Sequence, residues 1–162
     1  MKKFLSLLLL ATLLLTFCAC TSATPKQFSA QGMTITLTSG FTESTQEGST
    51  VCYDSKDVAV FALKESFSLI QGMDKWSLQD YAELVLEANK DRAPQAIKEV
   101  EGLTTFEYTF LNEQLNKTYT YFCVMYKTSD AFWLVQFACL EGKYETLRPS
   151  FVEWAKTVSF EA

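Results

Sequence analysis

Five cysteines, 19 carboxylates and a dense set of aromatic rings are the groups in this 162-residue chain that could do chemistry, and they must do it without histidine, of which there is none. An imidazole base, an imidazole metal ligand and any Ser-His or Cys-His pair are thereby excluded. A nucleophilic thiolate at Cys52, Cys123 or Cys139 would need a lysine or a helix N-terminus to lower its pKa. Cys123 and Cys139 fall in strand-like runs, so these thiols are expected to be small buried hydrophobes. Asp54 with Asp57, Asp74 with Asp80, and Glu99 with Glu101 are pairs that a two-carboxylate glycosidase or a calcium loop would draw on. Asp54-Ser55-Lys56-Asp57 lacks the further ligands and the glycine of a calcium loop. The expectation for all three pairs is solvated charge, with no catalytic residue, no cofactor-binding residue and no metal ligand. No GxxxxGK[ST], GxGxxG, CxxC or GxSxG occurs.

Aromatic residues make up 14% of the chain, and Phe106, Tyr108, Tyr119, Tyr121, Phe122, Tyr126, Phe132 and Trp133 crowd one stretch of it. On an exposed sheet they would form a stacking platform for sugars or bases. In a two-sided core they would form cross-strand pairs, which is the expectation adopted. The formal charge of -5 and the absence of a basic run argue against a nucleic-acid partner.

The N-terminus states a location. Met1-Lys2-Lys3 is a basic n-region, Phe4 to Phe17 an apolar h-region of about 14 residues, and a spanning helix needs ~20. Residues 1–19 therefore read as an export signal. Ala19-Cys20 matches the end of a bacterial lipoprotein signal, in which the cysteine takes a diacylglyceryl group, although Phe17 stands where Leu, Val or Ile is preferred. Cys18, preceded by bulky Phe17, is the poorer acceptor. Two acyl chains on Cys20 would hold the protein at the outer face of the cell membrane, whereas cleavage without lipid would make it a secreted protein. Loss of Lys2 and Lys3 leaves 12 basic against 19 acidic residues, a charge of -7. Residues 20–27 read as the lipidated cysteine and a tether, and residues 28–162 as one globular domain. Asn116-Lys117-Thr118 is a glycosylation sequon that means little behind a bacterial-type signal.

These groups must be positioned by the elements that follow. Met33 to Thr38 alternates as a half-buried strand, Thr42 to Ser49 reads as a polar loop, and Thr50 to Tyr53 pairs with Val58 to Lys64 across a turn-rich tetrad. Ser77 to Asp80 has the form of a capping box for a helix from about Leu78 to Lys90, with Trp76 as a staple. Leu103 to Leu111, Lys117 to Lys127 and Ala131 to Leu140 form an antiparallel meander. With turns centred in their loops, one face carries Phe106, Tyr108, Phe110, Phe122, Val124, Phe132, Leu134 and Leu140. The other carries Tyr119, Tyr121, Cys123, Met125, Trp133, Val135, Phe137 and Cys139. That register puts Cys139 opposite Tyr119, ~13 Å along the strand from Cys123, so no disulfide is expected. Both faces are apolar and require cover. A second helix, Tyr144 to Lys156, has Pro149 as a flaw that would make its regular part start there, and Thr157 to Phe160 ends the chain as a short strand. The fold class is α/β (α+β): a three-layer α-β-α sandwich, a mostly antiparallel sheet of about six to seven strands between two main helices.

The order of these elements resembles the PsbP-like group, which includes photosystem PsbP proteins, Ran-binding Mog-type proteins and small bacterial lipoproteins. The resemblance is carried by Gly32 to Thr38 with Phe41, Ser77 to Glu83, Gly102 to Tyr108, Phe132 to Phe137 and Phe151 to Phe160. It implies an antiparallel sheet with helices on both faces and an accessory or binding role, and it carries no functional residue. The leading reading is a membrane-anchored envelope lipoprotein whose non-catalytic domain binds a protein or small molecule. The alternatives are a carboxylate- or cysteine-dependent enzyme and a cystatin-like or NTF2-like cone, in which one helix lies in a curved sheet. Replacing Cys20→Ser is expected to move the protein from the membrane to the soluble fraction; a variant that still sediments with membranes defeats the lipid anchor.

Overall fold

The structure, a computed structural model, describes residues 24–161. Residues 1–23, which hold the signal segment, Cys18, Cys20 and the first part of the tether, lie outside the described residues. Pro25, within the segment read as tether, already opens β1 (Pro25–Ala30). It returns through Gln31-Gly32, both at positive φ as a two-residue hairpin turn demands, into β2 (Met33–Thr38). The stretch read as a loop contains a short strand, β3 (Thr42–Ser44), which pairs with β4 (Val51–Asp54). Then come β5 (Val58–Ser66), α1 (Leu78–Ala88), β6 (Lys98–Val100), β7 (Leu103–Asn112), β8 (Lys117–Lys127), β9 (Ala131–Leu140), α2 (Tyr144–Lys156) and β10 (Ser159–Phe160).

Seven strands form one antiparallel sheet in the order β3-β4-β5-β9-β8-β7-β6. A second sheet, β1-β2-β10, lies with α2 on one face of it, while α1 lies on the other. Helices thus occupy both faces, as a sandwich requires and a cone with one helix does not. The α2 face is closed by Met33, Ile35 and Leu37 of β2 together with Phe151, Val152 and Ala155 of α2. All of these pack on Val60, Phe122, Val124, Trp133, Val135 and Phe137.

Two expectations need correction. The helix α2 runs regularly from Tyr144, with Pro149 inside it. Pro149 removes one helical hydrogen bond, and burial of Tyr144, Phe151, Val152 and Ala155 outweighs that loss. The register of β8 differs by one residue from the centred-turn reading: Phe106 stands opposite Cys123 and Phe137 opposite Phe122. Phe122 and Val124 therefore share a face with Trp133 and Phe137, and Cys123 and Met125 share one with Phe106 and Phe132. Cys139 pairs with Thr120 and lies on the face opposite Cys123, so the sheet itself separates the two thiols.

The placement of α1 sets up the site. Ser77 Oγ accepts from the Asp80 backbone N–H at 3.1 Å, and Asp80 Oδ2 accepts from the Ser77 N–H at 2.8 Å, a complete capping box. Lys127 Nζ donates to the carbonyls of Asp74 and Trp76, at 3.0 and 2.6 Å, and so ties the preceding loop to β8. Tyr81 stacks on Phe132 with centroids 4.4 Å apart and donates to Glu65 Oε2 at 2.5 Å. The helix is pinned over Phe106, Met125, Phe132 and Leu134. Truncating Phe137→Ala, at the centre of the other face, is expected to cost about 3–5 kcal/mol, against about 1 kcal/mol for Ser77→Ala. Chemical denaturation checks both values; equal losses would contradict this account.

Candidate functional site

An 11-residue helix is ~16 Å long, and the strands beneath it run to ~35 Å. Pinned at one end, α1 leaves the other half of its face without a helix. The alternation of the strands brings Ala59 and Phe61 of β5, Gln136 and Ala138 of β9, Tyr119 and Tyr121 of β8, and Tyr108 and Phe110 of β7 to that half. They floor an open groove of about 740 Å³, walled by the 46–49 loop, Lys56, Asn112, Lys117 and Arg92. Its volume falls in the range of small-molecule sites.

The floor is ordered by a short polar chain. Arg92 Nη1 donates to Asn89 Oδ1 at 3.0 Å and to the Tyr108 hydroxyl oxygen at 3.1 Å, and Tyr108 donates onward to Gln136 Oε1 at 3.0 Å. The guanidinium carbon lies 5.3 Å from the Tyr108 ring and 5.4 Å from the Phe110 ring, a double cation–π contact. Tyr108 and Tyr121 stack at 4.6 Å, nearly parallel. Burial pushes both hydroxyls above the usual tyrosine range, with Arg92 opposing, so both stay protonated at neutral pH. Arg92 is set here by the end of the helix: Asn89 bonds back to the Val85 carbonyl at 2.8 Å, and a single tight turn, Lys90–Arg92, follows.

The residues singled out from sequence divide sharply. Of the eight crowded aromatics, Tyr108, Tyr119 and Tyr121 line the groove, while Phe106, Phe122, Tyr126, Phe132 and Trp133 are core or packed against it. Phe110, 39% exposed, lies on the groove side of β7. The carboxylate pairs are spent on separate contacts. Asp54 accepts from Ser44, Asp57 pairs with Lys143, Asp80 caps α1, Glu101 pairs with Lys156, and Asp74 and Glu99 are exposed. Among the described residues no three His, Cys, Asp or Glu side chains come together. The thiols are held protonated. Burial pushes Cys52 up against the hydrogen bond from Ser44, pushes Cys123 far up against Arg92, and raises Cys139 to about 11 against Lys143.

Arg92 and Gln136, which order the floor, are among the site residues that sequence reasoning missed. Gln136 had a signal: it is the one amide in the otherwise apolar run Ala131 to Leu140. Arg92 had only its rarity, as one of two arginines.

No protein-family profile matches the chain, and no curated protein matches it in sequence. Solved structures do match. Cyanobacterial PsbP (CyanoP) from Synechocystis is similar over 86% of this chain and 94% of its own, at 10% identity and a TM-score of 0.56. A protein of Bacteroides thetaiotaomicron is similar over 85% of this chain at 16% identity and a TM-score of 0.52, and the match spans 48% of that longer chain. At such identities the likeness is one of fold: the domain has the PsbP-like fold.

The thiols yield a pH prediction. Each folded value lies above the ordinary 9.0, so the fold holds the proton more tightly than the unfolded chain does. That contribution is intact below pH 9 and, for Cys139, is lost as pH rises through about 11. The denaturation midpoint is expected to fall across that window, less steeply in Cys139→Ala, and Cys52, Cys123 and Cys139 should resist alkylation at pH 8 until the chain unfolds. Rapid labelling of any of them in the folded protein, followed by peptide mass, would contradict the assignment.

Proposed function

We propose that this protein is an envelope accessory protein, anchored to the outer face of the cell membrane through Cys20, whose domain binds a saccharide in the groove without transforming it. The observation that carries the reading is the asymmetry between the two sheet faces. One is sealed by a second sheet and a helix, while half of the other is left open with aromatic rings on it. Folding alone favours covering such rings, at ~25 cal/mol per Å² of apolar surface. Partly exposed Phe110, Tyr119 and Tyr121 offer faces to the C–H side of a sugar ring, and Gln136, Asn112, Ser49 and Arg92 offer donors and acceptors to its hydroxyls. The chain's acidity speaks against a base as the stacking partner.

The anchor is supported by the Ala19-Cys20 junction and the short apolar run before it. Among the described residues no helix is long and apolar enough to cross a membrane. A non-catalytic role is supported by thiols that stay protonated and by paired carboxylates that are either engaged in structural contacts or exposed, and it agrees with the accessory character of the group the sequence resembles.

Titration with gluco-, galacto- and manno-configured trisaccharides, neutral and acidic, is expected to shift the backbone amides of Phe110, Tyr119, Tyr121 and Gln136 in nuclear magnetic resonance spectra. Tyr119→Ala should weaken binding about five- to tenfold. The saccharide reading falls if no member of the set shifts these amides, or if the shifts gather elsewhere on the domain.

A further inference from the structure

We infer that the groove selects acidic saccharides, taking a ring carboxylate on the free edge of Arg92 while the sugar ring lies on the aromatic floor. This rests on the saccharide reading above and adds to it the charge of the ligand.

The argument begins with the inventory of one guanidinium. Arg92 carries five N–H donors, and the two on Nη1 are taken by Asn89 and Tyr108, both neutral acceptors. Nε–H and the two N–H groups on Nη2 have no protein partner among the described residues, and no carboxylate lies within ion-pair distance. Those donors include the Nε/Nη2 edge, the fork that a carboxylate accepts in bidentate fashion. The chain's other arginine is the contrast: Arg148 donates from Nε to Glu107 at 2.9 Å.

Arg92 is also held in place. Two hydrogen bonds from one nitrogen and two aromatic rings at 5.3 and 5.4 Å fix the guanidinium plane before any ligand arrives. The surrounding charge points the same way. Lys56 and Lys117 also line the groove and make no ion pair among the described residues. Of the two carboxylates there, Asp57 is already bonded to Lys143, which leaves Glu47. A chain with an excess of acidic residues thus gathers three unpaired cations around one aromatic floor.

The test compares each uronic acid trisaccharide of the gluco, galacto and manno series with its own methyl ester, which keeps the ring and removes the charge. Binding is measured by calorimetry on the protein as recovered from its host, at 20 and 200 mM salt. For at least one series the acid is expected to bind about tenfold more tightly than its ester at low salt, and the gap should narrow at high salt. Arg92→Gln should weaken the acid far more than its ester and close the gap to within about twofold; Lys117→Gln should narrow it by a smaller factor. Esters that bind as tightly as their acids overturn the charge selection and leave the saccharide reading standing. If neither acids nor esters bind, both fall. A gap that survives Arg92→Gln overturns the assignment to Arg92.

Discussion

The position of α1 is the constraint on which the rest of this domain depends. The Ser77–Asp80 capping box, the Tyr81–Phe132 stack and the two hydrogen bonds from Lys127 to the loop before the helix hold its start over one end of the sheet. Eleven residues of helix then reach only about halfway along strands of ten or eleven residues. The result is one sheet face that is core at one end and a floor at the other. The same strand, β8, contributes buried Cys123 and Met125 to the first part and half-buried Tyr119 and Tyr121 to the second.

The opposite face obeys a different rule. There α2 and the β1-β2-β10 sheet share the work of covering β5, β8 and β9, so that Val60, Phe122, Val124, Val135 and Phe137 are all but inaccessible. A Pro149 in mid-helix is tolerated because the helix is held by what it buries rather than by its own hydrogen bonds. With that face closed and rigid, the groove can be open without loss of the fold. On its floor the polar groups are ordered by one short chain: a guanidinium held at the helix end and one amide, Gln136, tied to it through the Tyr108 hydroxyl.

Much of this was legible along the chain. The bounds of β8, β9 and α2, the capping box and the need for helices on both faces follow from residue type and period, since each is a local matter of alternation, caps and turns. The register of β8 was not legible, and its composition explains why. A strand with Phe122 and Val124 on one face and Cys123 and Met125 on the other has no polar side to give the slip away. The loss of two aromatics from core to groove has a related cause. Tyr119 and Tyr121 are indistinguishable by type and spacing from rings that are buried, and only the length of the helix above them separates the two sets.

What the sequence by itself determined is the exclusion of imidazole chemistry and the α+β sandwich, because composition and periodic patterns are properties of neighbouring residues. What only the tertiary structure decided is where a ligand would sit and which residues would meet it. Arg92 and Phe110 lie 18 positions apart, and Gln136 a further 26 along the chain. They converge because β7, β8 and β9 pair in one register and α1 stops where it does, and both outcomes are set by the burial of residues far from the groove.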